Sequence, residues 1–141
     1  MPFFPSLEWC QALIAAIHAD PDSKRAGKGL VADFAAAVLP EPGVFDQPFV
    51  IYGKSVEGQV QGLRQLEDLE EIDELEPAYV ARAGYSTWRR IIESKVDPIE
   101  AILRREIAVS GDLAPIIERA HFKELVWRVL ARVPTEFGRR A

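Results

Sequence analysis

The residues in this sequence that could do chemistry are few and scattered. There are two histidines, one cysteine and one dense acidic run. A nucleophilic site needs a hydroxyl or thiol beside a base that a third group orients. Neither His18 nor His121 has such a partner nearby in sequence. His18 falls in the last turn of an expected helix, where a cation favours the helix dipole. His121 sits where the apolar side of the last helix changes, and it reads as structural. Cys10 lies near the apolar face of the first helix and reads as a buried, inert thiol. Glu67 to Glu76 carries seven carboxylates around Leu69, Ile72 and Leu75. That charge could attract a cation, but the calcium-loop pattern with its central glycine is absent, so a solvated helix or loop is expected. Arg89-Arg90, Arg104-Arg105 and Arg139-Arg140 either keep the surface soluble or, at one pair, meet a carboxylate or phosphate at a pocket mouth. No Gly-rich phosphate loop, metal-spaced Cys/His cluster or nucleophile elbow is present. The expectation is a protein that is not an enzyme and holds no metal or cofactor.

Composition narrows the class further. The chain has 141 residues, 48% hydrophobic and 28% charged, with a net charge of −5. That is the composition of an ordinary globular protein, expected to form one domain over residues 1–141 with the last few residues as a tail. A net negative charge excludes a general nucleic-acid binder and electrostatic docking on anionic membranes. A single cysteine excludes an internal disulfide. Met1-Pro2-Phe3-Phe4-Pro5 lacks the basic and long apolar regions of a secretory signal, and no stretch reaches the ~18 apolar residues that span a bilayer. Phe137-Gly138-Arg139-Arg140-Ala141 is not a peroxisomal address. The expected location is the cytoplasm.

The elements follow from pattern. Ser6 can cap a helix to about Ala19, with Trp9, Leu13, Ile14 and Ile17 on one face and Asp20-Pro21 as its stop. Leu30 to Leu39 is ambiguous, because Ala35, Ala36 and Ala37 favour helix. Its glycine and proline flanks and its length favour a strand, with Leu30, Ala32, Phe34, Ala36 and Val38 on one face. Small side chains on an inward face leave volume that a ligand or close-packed helices could fill. Phe49 to Tyr52 is a strand, Glu57-Gly58 a turn, Gln59 to Leu66 a polar alternating strand, and Ala78 to Ala83 another strand. Between Tyr85 and Leu113 the signals are dense. Ser86 or Thr87 can cap a helix that places Trp88, Ile91 and Ile92 on one face. Asp97-Pro98-Ile99-Glu100 starts a second helix, with Asp97 as N-cap, Pro98 first and Ile102 and Leu103 on its apolar face. Ile107 and Val109 alternate as a short strand, and Gly111-Asp112 ends it and caps the next helix. That final helix, Leu113 to Val133, places Leu113, Ile116 and Ile117 opposite Phe122, Val126 and Val129. Leu125, Trp127 and Leu130 make its second half apolar nearly all round, so something must bury it.

The order aromatic-Ser/Thr-x-Trp, helix, Asp-Pro, helix, short strand, Gly-Asp, helix resembles the sterol carrier protein 2-like lipid-binding family. It is carried by Tyr85, Ser86, Thr87, Trp88, Asp97, Pro98, Ile107, Val109, Gly111 and Asp112. Where that family often has Gly before Asp-Pro, this chain has Glu93-Ser94-Lys95-Val96; where Lys often flanks the short strand, it has Glu106 and Ser110. These departures bear on a ligand's headgroup more than on the fold.

The fold expected is α+β: a mainly antiparallel sheet of about five strands with helices packed on one face. The resemblance adds an apolar tunnel that takes a sterol, fatty acyl chain or similar lipid, with Phe34, Trp88, Ile91, Ile92, Ile102, Leu113 and Ile117 as its lining. A different reading makes the chain a dimerisation or scaffold module with a filled core, pairing through the last helix at Trp127 and Leu130. A third has it present a quinone precursor or acyl thioester to a separate enzyme. In each, the partners are a lipid-like molecule or another protein, with no nucleic acid and no stable membrane insertion.

Overall fold

The computed structural model describes residues 2–117 and 122–137. Helix α1 (Leu7–Ala19) begins where Ser6 Oγ accepts from the Trp9 backbone N–H at 3.1 Å. It stops at Asp20, and one further turn follows as α2 (Ser23–Ala26). Strand β1 (Val31–Leu39) settles the alanine-rich segment as a strand. It pairs antiparallel with β2 (Phe49–Val56), which pairs antiparallel with β3 (Gln59–Leu66). The turn between them requires glycine at Gly58: its φ is +83°, and a Cβ there would meet the Ser23 carbonyl oxygen at 2.1 Å. Tertiary pairing overrides helix propensity at Ala35–Ala37 because both edges of β1 are hydrogen-bonded. On its other edge β1 pairs in parallel with β4 (Tyr79–Gly84), and β4 pairs antiparallel with β5 (Ala108–Ser110). The sheet is therefore five-stranded and mixed, in the order β3-β2-β1-β4-β5.

The acidic run forms a short helix, α3 (Glu70–Leu75), between β3 and β4. After β4 come α4 (Tyr85–Ile92), α5 (Pro98–Leu103), β5, α6 (Ala114–Ile117) and α7 (Phe122–Arg132). Asp97 caps α5 through the Ile99 N–H at 2.9 Å with Pro98 in the first turn, and Asp112 accepts from the Ala114 N–H at 3.2 Å. The cap of α4 differs from expectation. Its N-cap is Gly84, and the carboxylate that serves the turn comes from Glu41, which accepts from the Ser86 N–H (2.8 Å) and Ser86 hydroxyl (2.7 Å). Glycine at 84 admits this carboxylate, since a Cβ there would lie 2.6 Å from Glu41 Oε1. His121 and Arg139-Arg140 lie outside the described residues.

Strand alternation divides the apolar residues between two layers. On one face, Val38, Phe49 and Ala83 join Phe4, Trp9, Ile91, Ala101, Ile107, Leu130 and Val133, bringing in α1, α4, α5 and α7. On the other, Ala35, Ala37, Val50, Leu66 and Val80 close around Ile72 of α3. Most helices thus share one face, while α3 covers part of the opposite one. Asp20, 2% exposed, ties the end of α1 to α7 by accepting from Arg128 Nε and Nη2 (both 3.1 Å) and Arg132 Nη1 (3.3 Å). No helix among the described residues is long and apolar enough to cross a membrane.

Candidate functional site: an apolar cavity between sheet and helices

The larger helical layer does not close fully on the sheet. A cavity of about 320 Å³ remains between them. Its floor comes from alternate residues of the central strands, Phe34, Ala36 and Val38 of β1 with Phe49 and Ile51 of β2. Register explains the grouping, because Val38 lies opposite Phe49, Ala36 opposite Ile51 and Phe34 opposite Gly53. The Phe34 ring covers Gly53, where a Cβ would lie 3.1 Å from its Cζ. The roof is helical: Trp9, Leu13, Ile14 and Ile17 of α1, Trp88, Ile91 and Ile92 of α4, and Val126 and Leu130 of α7.

The lining offers hydrocarbon and aromatic surface with its polar handles already engaged. Trp9 Nε1–H donates to Thr135 Oγ1 at 2.8 Å and Trp88 Nε1–H donates to the Ala37 carbonyl at 3.0 Å. Cys10 borders the cavity as an uncharged thiol, pushed up to about 12 by burial and, secondarily, by the nearby Glu8 carboxylate. A thiol held so far above neutrality supplies no thiolate nucleophile. The same burial expected from its helical position thus makes it chemically quiet.

The residues expected to line a cavity divide into two groups. Phe34, Trp88, Ile91 and Ile92 lie together around it. Ile102 and Leu113 instead border a second, outer groove of about 560 Å³ at the β5 edge, together with Arg82, Arg105 and Val109. Helical periodicity placed Ile102 on the apolar face of α5 but could not say which hollow that face meets, and Leu113, expected to begin the final helix, instead precedes α6. The side chain of Ile117 lies outside the described part of the structure. Of the interface candidates, Leu130 is buried and lines the cavity, and Trp127 is half-buried.

Sequence reasoning missed the α1 contribution of Ile14 and Ile17 to a cavity, although it placed both on the apolar face. It also missed the pin at that end. His18 Nε2 accepts from the Val60 N–H of edge strand β3 at 2.9 Å, a contact between residues 42 apart in sequence. Val60 and Leu63 of β3 border the cavity there. The histidine therefore joins α1 to the sheet edge, a role that no local signal announces. Among the described residues no group of three or more His, Cys, Asp or Glu side chains is placed to hold a metal ion.

No protein-family model and no curated protein matches the chain. Solved structures do match its fold. A conserved hypothetical protein of Thermus thermophilus, described as possibly a sterol carrier protein, is 22% identical with a TM-score of 0.75, over 96% of this chain and 92% of that one. A crystal structure of sterol carrier protein 2 is 24% identical with a TM-score of 0.73, over 92% of this chain and 98% of the other. Sterol carrier protein 2 from Yarrowia lipolytica, in its apo form, is only 8% identical, with a TM-score of 0.56 over 91% and 93% of the two chains. Agreement over nearly the whole of both chains at such low identity is agreement of architecture. This chain has the sterol carrier protein 2-like fold.

Proposed function

We propose that the chain is a non-catalytic carrier that holds a lipid-like small molecule, a sterol, fatty acyl chain or similar apolar ligand, in the cavity between sheet and helices. The observation that carries this reading is an apolar hollow of about 320 Å³ that the protein leaves open over Ala36. Apolar side chains facing a gap forfeit packing contacts, and larger side chains on the floor could restore them, so the hollow is best explained by an occupant. The fold shared with sterol carrier protein 2 supports the same reading.

The driving force is apolar burial. A 16-carbon tail at about 0.8 kcal/mol per CH₂ supplies about 13 kcal/mol before the cost of immobilisation. Small-molecule sites span about 300–1,000 Å³, so this cavity sits at the small end and a long ligand must widen it or extend beyond it. Affinity then depends on fit, because the described lining offers little with which to grip beyond the weak Cys10 thiol.

Native mass spectrometry of the purified protein should show a lipid-sized mass travelling with it. After delipidation it should take up a fluorescent fatty acid or sterol at micromolar concentration, and Ala36→Trp should lose that uptake while keeping its circular dichroism. A delipidated wild type that takes up neither ligand overturns the carrier reading.

A further inference from the structure

We infer that the seam between α1 and edge strand β3 is the entrance to the cavity, and that His18 is its pH-sensitive latch. This rests on the carrier reading above and extends it to the way a guest enters and leaves. Helix α1 is tied down unevenly. On its α7 side the buried Asp20 carboxylate accepts from Arg128 and Arg132, and Trp9 Nε1–H donates to Thr135 just beyond that helix. On its β3 side one hydrogen bond joins the two elements among the described residues: the Val60 N–H donates to Nε2 of the exposed His18 ring at 2.9 Å. Cavity-lining side chains stand on both sides of that seam, Ile14 and Ile17 on α1 and Val60 and Leu63 on β3. All four are half-buried, whereas Trp9, Phe49 and Leu130 elsewhere in the lining are buried.

Strand β3 is built to yield here. It pairs with β2 on one edge only, and its register slips between the Tyr52–Arg64 and Lys54–Gln61 pairs. Gly62, inside that bulge, has φ +63°, and a Cβ on it would meet nothing within 4 Å, so this glycine serves the bend and not the packing. The turn before the strand is anchored separately, by the Glu57 N–H to the Leu30 carbonyl (3.0 Å) and the Gly29 N–H to the Glu57 carboxylate (2.6 Å). Nε2 accepts from Val60 only while that nitrogen carries no proton. An imidazolium donates from both nitrogens, so two N–H groups would then face each other. The exposed ring is free to swing away, and the carbonyl end of α1 favours its cation. Imidazoles gain that proton in the mildly acidic range that cells reach. The charged groups on the elements around His18 are Lys24 and Arg25 of α2, Lys28 after it, Glu57 at the turn, Arg64 of β3, and Glu124, Arg128 and Arg132 of α7. None forms an ion pair with it among the described residues. Arg25 holds Asp22, Arg128 and Arg132 hold Asp20, and Arg64 lies over the Tyr52 ring at 5.4 Å.

The test has two arms, both on the full chain and both between about pH 7.5 and 5.5, the range in which an imidazole titrates. The first follows hydrogen exchange of the Val60 amide without ligand, corrected for the intrinsic pH dependence of exchange. Protection should fall on acidification in wild type and stay constant in His18→Gln, whose side-chain oxygen can accept at either pH. The second loads the chain with a fluorescent sterol, which has no titratable group, and times its transfer to neutral phosphatidylcholine vesicles. Release should be about two- to tenfold faster at the lower pH, the worth of one lost hydrogen bond. His18→Gln should release slowly at both values and His18→Ala fast at both, while Glu57→Gln and His121→Gln should respond as wild type does. Val60 protection that does not change with pH, or that falls equally in His18→Gln, overturns the latch. Falling protection with pH-independent release overturns the entrance and leaves the carrier reading standing. A sterol that does not bind wild type overturns the carrier reading and the entrance with it, and Val60 protection then decides the latch alone.

Discussion

The two faces of the sheet are built from the same strand with the same small residues, yet one is solid and the other hollow. On the solid face Ala35 and Ala37 meet Ile72, and Ala37 and Ile72 are 0% and 1% exposed. On the hollow face Ala36 meets a gap of about 320 Å³. Alanine on a strand therefore does not by itself make a cavity. What differs is the opposing layer. A single short helix, α3, drops one isoleucine straight onto the alanines. Across the sheet, α1, α4 and α7 pack around Trp9 and Trp88, whose indoles are fixed by hydrogen bonds to Thr135 and Ala37, and the space between this layer and the sheet stays open.

Substitutions can break this comparison. Ile72→Ala should have the largest effect, a loss of about 2–5 kcal/mol by denaturant unfolding, because a fully enclosed aliphatic leaves a void that its neighbours cannot fill. Lipid uptake by the folded fraction should stay normal. Ala37→Phe should cost about 1–3 kcal/mol from overpacking on the solid face. Ala36→Phe, one residue away, should be neutral or stabilising and should abolish uptake. Equal destabilisation by the two alanine replacements would show that the faces are packed alike.

The smallest effect is on acid stability, and it can be separated by face. On the solid side Asp33 accepts from the Ala78 N–H and the Tyr52 hydroxyl, both at 2.8 Å, and these bonds hold its carboxyl below the ordinary range, the Ala78 bond foremost. On the hollow side Asp20 is held low chiefly by Arg128, then by the Asp22 N–H. A carboxyl depressed in the folded state contributes stability above its unfolded value of about 3.9 and loses it as pH falls through the folded value. Unfolding monitored between about pH 5 and 2 should therefore show stability declining. Asp33→Asn should flatten that decline with uptake at neutral pH unchanged. Asp20→Asn should flatten it and also alter uptake, since Asp20 joins α1 to α7 over the cavity.

Much of the architecture was legible because its signals are local. Alternation in Leu30–Leu39, glycine and proline at its flanks, and the Asp97-Pro98 start each fix backbone within a few residues. The sheet order, the hydrogen bond from Val60 to His18 and the Glu41 cap depend on contacts that no window of ten residues contains. The acidic segment shows the limit well. Its charges announced solvent exposure correctly for most of the turn, yet Ile72 within it is the keystone of the second face. The division of Phe34, Trp88, Ile91 and Ile92 from Ile102 and Leu113 has the same origin. Periodicity names the greasy side of a helix, but the docking of that helix decides which space the side faces.

Both indole N–H groups near the hollow are held by Thr135 and Ala37. Beyond the weak Cys10 S–H, the described lining would offer the proposed guest no donor, so selection inside would rest on girth and length. Discrimination among hydrocarbons of similar shape would have to happen at the doorway, where a molecule's water-loving end stays outside.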